Sequence, residues 1–265
     1  MAIRTILALL SGGAEDLDVL DGAWSVAKCQ AAHVSCLRCG PDLPKSLEYV
    51  SESAFHFDAW CQSRTPFVAE QPQSSPRASL DPKLAVDEDP GSIAARLRLS
   101  DLVIAARPDG WLAGTPAGVH SVLSEGGRPV LLIPPGGTDS IGEKIVIAWN
   151  GSEQAARAVA FALPLLATAR DIRIFHRSEQ GDRQAGGGPA ELVEHLARHG
   201  IAAKLLAPAL ESGSVAEDLL NTCRSHAADL LVMGGYTHGR LRQLLLGGVT
   251  RQILAEAPLP VLMVH

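Results

Sequence analysis

Two kinds of apolar pattern alternate along the chain. Short, nearly unbroken apolar runs occur at Thr5-Ile6-Leu7-Ala8-Leu9-Leu10, Asp101-Leu102-Val103-Ile104-Ala105-Ala106, Arg128-Pro129-Val130-Leu131-Leu132-Ile133-Pro134, Lys144-Ile145-Val146-Ile147-Ala148-Trp149, Asp229-Leu230-Leu231-Val232-Met233-Gly234 and Leu259-Pro260-Val261-Leu262-Met263-Val264. Runs of this length without polar alternation predict strands covered on both faces. Between them lie longer stretches with helical spacing. One of these is Glu153 to Leu166, where Ala156, Val159, Ala160 and Leu163 recur every three or four residues.

The runs fall into two matching sets. Each half closes on a Pro-Val-Leu strand, each has a strand opened by an aspartate upstream of it, and each upstream strand follows a helix-like stretch opened by Gly-Ser, at Gly91-Ser92 and Gly213-Ser214. The serines are predicted helix caps. Between the halves, Pro134-Pro135-Gly136-Gly137-Thr138-Asp139-Ser140 has the composition of a linker. The expected organisation is a domain over residues 1–135 and a second over 143–265. Each is an α/β domain of Rossmann-like or flavodoxin-like type, a parallel five-stranded sheet with helices on both faces. In the second half the predicted strands are 144–149, 171–177, 201–207, 229–234 and 260–264. In the first, Glu70 to Pro90 is rich in Pro, Ser, Gln and Asp and is expected to contain an exposed loop.

Composition adds exclusions. With 265 residues and 46% hydrophobic content, the chain can fold without metal or disulfide staples. A formal charge of −6 and no basic patch argue against nucleic acid as a partner. The apolar amino terminus is too short for a membrane span and lacks a cleavage pattern, so a cytoplasmic location is expected. Five cysteines fit a reducing compartment. Cys36-x-x-Cys39 falls in a predicted strand, where residues three apart face opposite ways and cannot chelate one metal. His33, His56, His120, His176, His226 and His238 are scattered, and no metal site is expected.

In an open parallel sheet, ligands bind beyond the carboxyl ends of the strands. The segment leaving the fourth strand of the second half, Met233-Gly234-Gly235-Tyr236-Thr237-His238-Gly239-Arg240, continues to Gly247-Gly248-Val249-Thr250-Arg251. Glycines admit close backbone approach, and amides at a helix start can donate to phosphate. With the strands on either side, this segment resembles the carboxyl-terminal signature of the universal stress protein family, whose nucleotide-binding members carry Gly-x2-Gly-x9-Gly-Ser/Thr. Gly234 and Gly247 match that pattern, while Thr237 and Gly248 depart from it. Ala148-Trp149-Asn150 is similar to the turn that faces the nucleoside in such relatives, with Asn150 in place of an acid, and Arg177 matches a position lining their adenine pocket. The resemblance implies a stress-response binding or regulatory protein. An adenine nucleotide such as ATP, with Mg²⁺, would be held by Ala148, Trp149, Asn150, Arg177, Met233, Gly234, Gly235, Thr237, His238, Gly247, Gly248, Val249 and Thr250. It also implies pairing of terminal strands, either between the two halves as an internal pseudo-dimer or between copies in a homodimer.

Two other functions compete. A nucleotide-free member of the family would act through protein partners. An enzyme of the ATP pyrophosphatase kind would use Ser11-Gly12-Gly13, although Glu15, Asp16 and Asp18 put negative charge there; an acidic first helical turn is the simpler reading. No nucleophile with an adjacent base is identifiable, so slow hydrolysis is the most expected of any chemistry. In the first half, Ala106, Arg107, Pro108 and Asp109 stand where the second has its glycine loop, and no nucleotide is expected there.

Overall fold

A computed structural model describes residues 2–38, 57–64, 66–69, 76–82, 84–86, 90–107, 127–177, 187–206, 213–235 and 248–264. The chain divides into two compact units, Met1–Asp139 and Ser140–His265.

The first unit runs β1 (Thr5–Leu10), α1 (Asp16–Gln30), β2 (His33–Arg38), a helical stretch over residues 57–64, β3 (Ser79–Leu80), β4 (Ala85–Val86), α2 (Pro90–Leu99), β5 (Leu102–Ala106) and β6 (Val130–Ile133). Its strands lie in the order β3–β2–β1–β5–β6, all parallel, with β4 also on β2. The second unit runs β7 (Lys144–Ala148), α3 (Glu153–Leu166), β8 (Asp171–Phe175), α4 (Pro189–Arg198), β9 (Lys204–Leu205), α5 (Val215–Ser225), β10 (Leu230–Gly234), α6 (Gly248–Glu256) and β11 (Val261–Val264). Its order is β11–β10–β7–β8–β9, again parallel. The alternating α/β fold expected from the apolar runs is thus present in both units. The central strands are apolar because both sheet faces are covered there: Ile6 to Leu10, Ile145 to Ile147, Leu230 to Val232 and Val261 to Val264 are all buried.

The repeat extends to how the sheets are pinned. The Asp101 carboxylate, just before β5, accepts from the amides of Arg4 (2.8 Å) and Thr5 (3.0 Å) at the start of β1. Asp229, just before β10, accepts from the Ser140 hydroxyl (2.7 Å) and the amides of Gly142, Glu143 and Lys144 at 2.9–3.1 Å. A carboxylate at each position registers the two central strands of its sheet.

Two local expectations need correction, and part of the stretch 70–90 is strand. Ser79 and Leu80 pair with His33 and Val34, and Leu80 is fully buried. His33 locks this edge, its Nδ1 against the Ser79 hydroxyl (2.8 Å) and its Nε2 against Asp81 (3.0 Å). Ser92 lies inside the first turn of α2 rather than capping it, because Pro90 opens the helix. Ser214 does cap α5, accepting from the Glu217 amide in a full capping box. Finally, α3 has the predicted ends but a rotated face: Ala155, Ala158, Val159, Ala162, Leu165 and Leu166 are buried, whereas Ala156 and Ala160 are exposed. Among the described residues, no helix is long and apolar enough to cross a membrane.

Candidate functional site

From β7 the chain of the second unit moves to β8 and β9 on one side, then returns to lay β10 and β11 on the other. The order reverses between β7 and β10, and in open parallel sheets ligands bind beyond the carboxyl ends of the strands at such a switch point. Ala148 and Met233 are register partners across that junction. Two of the sequence-predicted residues, Ala148 and Met233, therefore flank the switch point.

The turn after β7 is set by its own side chains. Asn150 Oδ1 accepts from the Ser152 amide (3.1 Å) and hydroxyl (2.7 Å), while Ser152 Oγ accepts from the Ala155 amide (3.2 Å) and caps α3. Gly151 has φ +73°, the left-handed conformation that glycine adopts without penalty. Trp149 is held at the strand end: its amide donates to the Phe175 carbonyl (2.9 Å) and its indole Nε1 to the Gly187 carbonyl (3.1 Å). The Asn150 side chain is neutral and its carbonyl oxygen is committed to the turn, so this residue brings no anionic metal ligand.

On the other side, Gly234 is required by packing. A Cβ at this position would stand 2.6 Å from the Ala155 nitrogen, 2.8 Å from the Gln154 carbonyl carbon and 2.9 Å from the Gln154 Cβ. Only a glycine lets β10 lie this close to the start of α3, which is also why α3 turns Gln154 and Ala155 inward. The Gly235 amide donates to the Val264 carbonyl (2.8 Å), continuing the β10–β11 ladder one residue further. Gly248 opens α6 and, among the described residues, no atom lies within 4 Å of where its Cβ would sit; Val249 is half-buried and Thr250 is buried. Thr237, His238 and Gly247 lie outside the described residues.

Arg177 is tied to the start of α5. Its Nη1 donates to the Asp218 carboxylate (2.6 Å) and the Gly213 carbonyl (2.9 Å), and the Asp218 side chain is only 4% exposed. The guanidinium thus neutralises a buried acid in the first turn of α5. A cleft of about 170 Å³ beside this pair is lined by Gly213, Glu217, Asp218, Asn221, Arg224 and Glu256. Three carboxylates in so small a space make it a poor receptor for phosphate.

In the first unit, the Ser11-Gly12-Gly13 loop is already filled. The Asp16 carboxylate accepts from the Ser11 amide (2.7 Å), the Ser11 hydroxyl (3.2 Å) and the Gly12 amide (2.9 Å). Those are the donors that a pyrophosphate would need, so the pyrophosphatase reading has no site there. Burial pushes the Asp16 carboxyl above the usual carboxylate range, against the opposing pull of the Ser11 and Gly12 hydrogen bonds.

Cys36 is buried in β2, and burial drives its thiol far above the ordinary value, leaving an inert neutral side chain; Cys39 lies outside the described residues. One histidine pair was missed from the sequence. His195-Leu196-Ala197-Arg198-His199 does have His-x3-His spacing, and a count of histidine separations finds it directly.

Residues 142–265 match the universal stress protein family. A universal stress protein of Synechocystis is 28% identical over 127 residues, covering 45% of this chain and 41% of that protein, so the match spans about two fifths of the relative's length. Among solved structures, a universal stress protein from Archaeoglobus fulgidus DSM 4304 superposes with a TM-score of 0.71 at 18% identity, covering 98% of this chain and 97% of that one. A functionally unknown protein from Pseudomonas aeruginosa PAO1 gives 0.60 at 20% identity over 99% and 92%. At these identities the two structures establish a shared fold across both units.

Proposed function

We propose that the second unit, which matches the universal stress protein family, is a ligand-sensing module that takes an adenine nucleotide, ATP or a relative, at the switch point between β7 and β10. The observation that supports this most directly is the fusion of β10 to α3 at Gly234, which sets the Asn150 turn beside the start of the glycine-rich segment. In this reading, Ala148, Trp149 and Asn150 take the nucleoside side. Met233, Gly234 and Gly235 form the floor, and the open helix start at Gly248, Val249 and Thr250 receives phosphate through backbone amides. The sequence adds Thr237, His238 and Gly247 to the phosphate side. Any Mg²⁺ would be carried by the phosphates, since the Asn150 oxygen is spent on Ser152. The first unit is a diverged copy of the domain that keeps the fold and not the nucleotide site.

The test is denaturing extraction of freshly purified protein with mass spectrometry for released nucleotide, followed by calorimetric titration with ATP and Mg²⁺. Stoichiometric adenine nucleotide is expected. Gly248→Asp should abolish binding without unfolding, because the carboxylate enters open space at a helix start, where acids are tolerated, and repels phosphate. No released nucleotide and no heat at millimolar ATP would leave a protein that works through partners.

A further inference from the structure

The exposed end of α4 carries a pair of imidazoles on successive turns. His195 and His199 lie with ring centroids 4.9 Å apart and ring planes at 63°. Both are exposed, whereas Leu192 and Leu196 on the same helix are buried and fix its orientation. The helix end is rigidly closed: the amides of His199 and Ile201 both donate to the Leu196 carbonyl, and Gly200 turns the chain with φ +74°.

We propose that His195 and His199 form a bidentate surface site for a borderline divalent transition metal, with copper(II) preferred over nickel(II) and zinc(II). Imidazole nitrogen binds such ions at about 2.0–2.1 Å, which puts the metal roughly 3.2 Å from each ring centre. Two rings on one metal then have centres about 4.5 Å apart at a 90° ligand angle and about 5.2 Å apart at a tetrahedral one. The observed 4.9 Å falls between these limits, so side-chain rotation alone can converge the nitrogens on one ion. The carboxyl end of a helix also favours a cation, and the nearby Arg198 is drawn toward Glu194 (3.7 Å). Among the described residues no cluster of three or more histidine, cysteine or acidic side chains could hold a metal. Water therefore fills the remaining positions, and the ligand order follows nitrogen affinity, which excludes Mg²⁺ and Ca²⁺.

The experiment is calorimetric titration of the untagged full-length chain with copper(II), nickel(II) and magnesium(II), with electron paramagnetic resonance of the copper-loaded protein. One copper equivalent with a two-nitrogen spectrum is expected. Either His195→Ala or His199→Ala should weaken it tenfold or more, while His226→Ala, a lone histidine capping α5, leaves it unchanged. The proposal is overturned if each single substitution removes one site without changing the affinity of the other, which is the behaviour of independent histidines, or if both variants bind copper as the parent does.

Discussion

Gly234→Ala tests the central geometric claim about the second unit. The added methyl carbon would stand 2.6, 2.8 and 2.9 Å from three atoms of Gln154 and Ala155, two of them backbone. Favourable carbon contacts lie at about 3.5–4.0 Å, so the overlap is roughly 1 Å, and the atoms that must yield belong to the first turn of α3. No rotamer change relieves a clash with backbone; β10 and α3 must separate. Overpacking typically costs about 1–3 kcal/mol, and a backbone collision belongs at the upper end, ~3 kcal/mol. Hydrogen exchange followed by mass spectrometry reads this unit by unit. At about 1.4 kcal/mol per factor of ten, peptides covering β10 should exchange roughly 100-fold faster, while β1 peptides in the first unit serve as the unchanged reference. Gly248→Ala is the matched control: its Cβ meets nothing within 4 Å and it opens a helix, so it should be neutral or slightly protective. Equal exchange of β10 in the two variants would refute the close approach.

The paired aspartates make a second prediction: Asp229→Ala, which strands three amides and a hydroxyl, should destabilise the second unit by about 2–3 kcal/mol, and Asp101→Ala the first, each leaving the other unit's exchange unchanged. Arg177→Ala removes the partner of a buried carboxylate and should cost about 3–5 kcal/mol in urea denaturation; if Arg177 served a ligand alone, stability without ligand would not move. For Asp81, burial raises the carboxyl, but hydrogen bonds from His33 and Ser35 and the charges of His33 and Arg96 more than reverse this, so it titrates below the ordinary range. Its contribution is present above about pH 4 and is lost as pH falls through the lower folded value. Asp81→Asn should therefore flatten the acid limb of first-unit stability, and an unchanged acid midpoint would count against the His33 bridge.

The central strands were legible because each is a run of consecutive apolar residues, a signal that depends on burial alone. The repeat was legible for the same reason: an offset of 128 residues carries Leu102–Ala106 onto Leu230–Gly234. The face of α3 was not, because alanines occupy both Ala156 and Ala160 on one side and Ala155, Ala158 and Ala162 on the other, and hydrophobicity does not distinguish them. What chooses is Gly234, some 80 residues away, whose missing side chain draws Gln154 and Ala155 inward. The strand at Ser79–Leu80 escaped because two residues carry no periodicity. At the site, the glycines and the switch point could be read from type and order. The capture of Arg177 by Asp218 could not, since it joins residues 41 apart through the path of the fold.

The two units answer one physical problem in different ways, and the difference bears on which of them can take an anion. In each, the chain leaves the first strand through a glycine of positive φ, Gly12 at +91° or Gly151 at +73°, and must satisfy amides before a helix begins. The first unit sends a carboxylate back from the helix, placing the buried Asp16 charge on the Ser11 and Gly12 amides. The second sends neutral oxygens forward, Asn150 to Ser152 and Ser152 to Ala155. A fixed negative charge both consumes the donors and repels phosphate, whereas neutral oxygens do only the first. The two turns thus differ in charge: a returning acid places a fixed negative charge at the first, and a forward amide leaves the second without it.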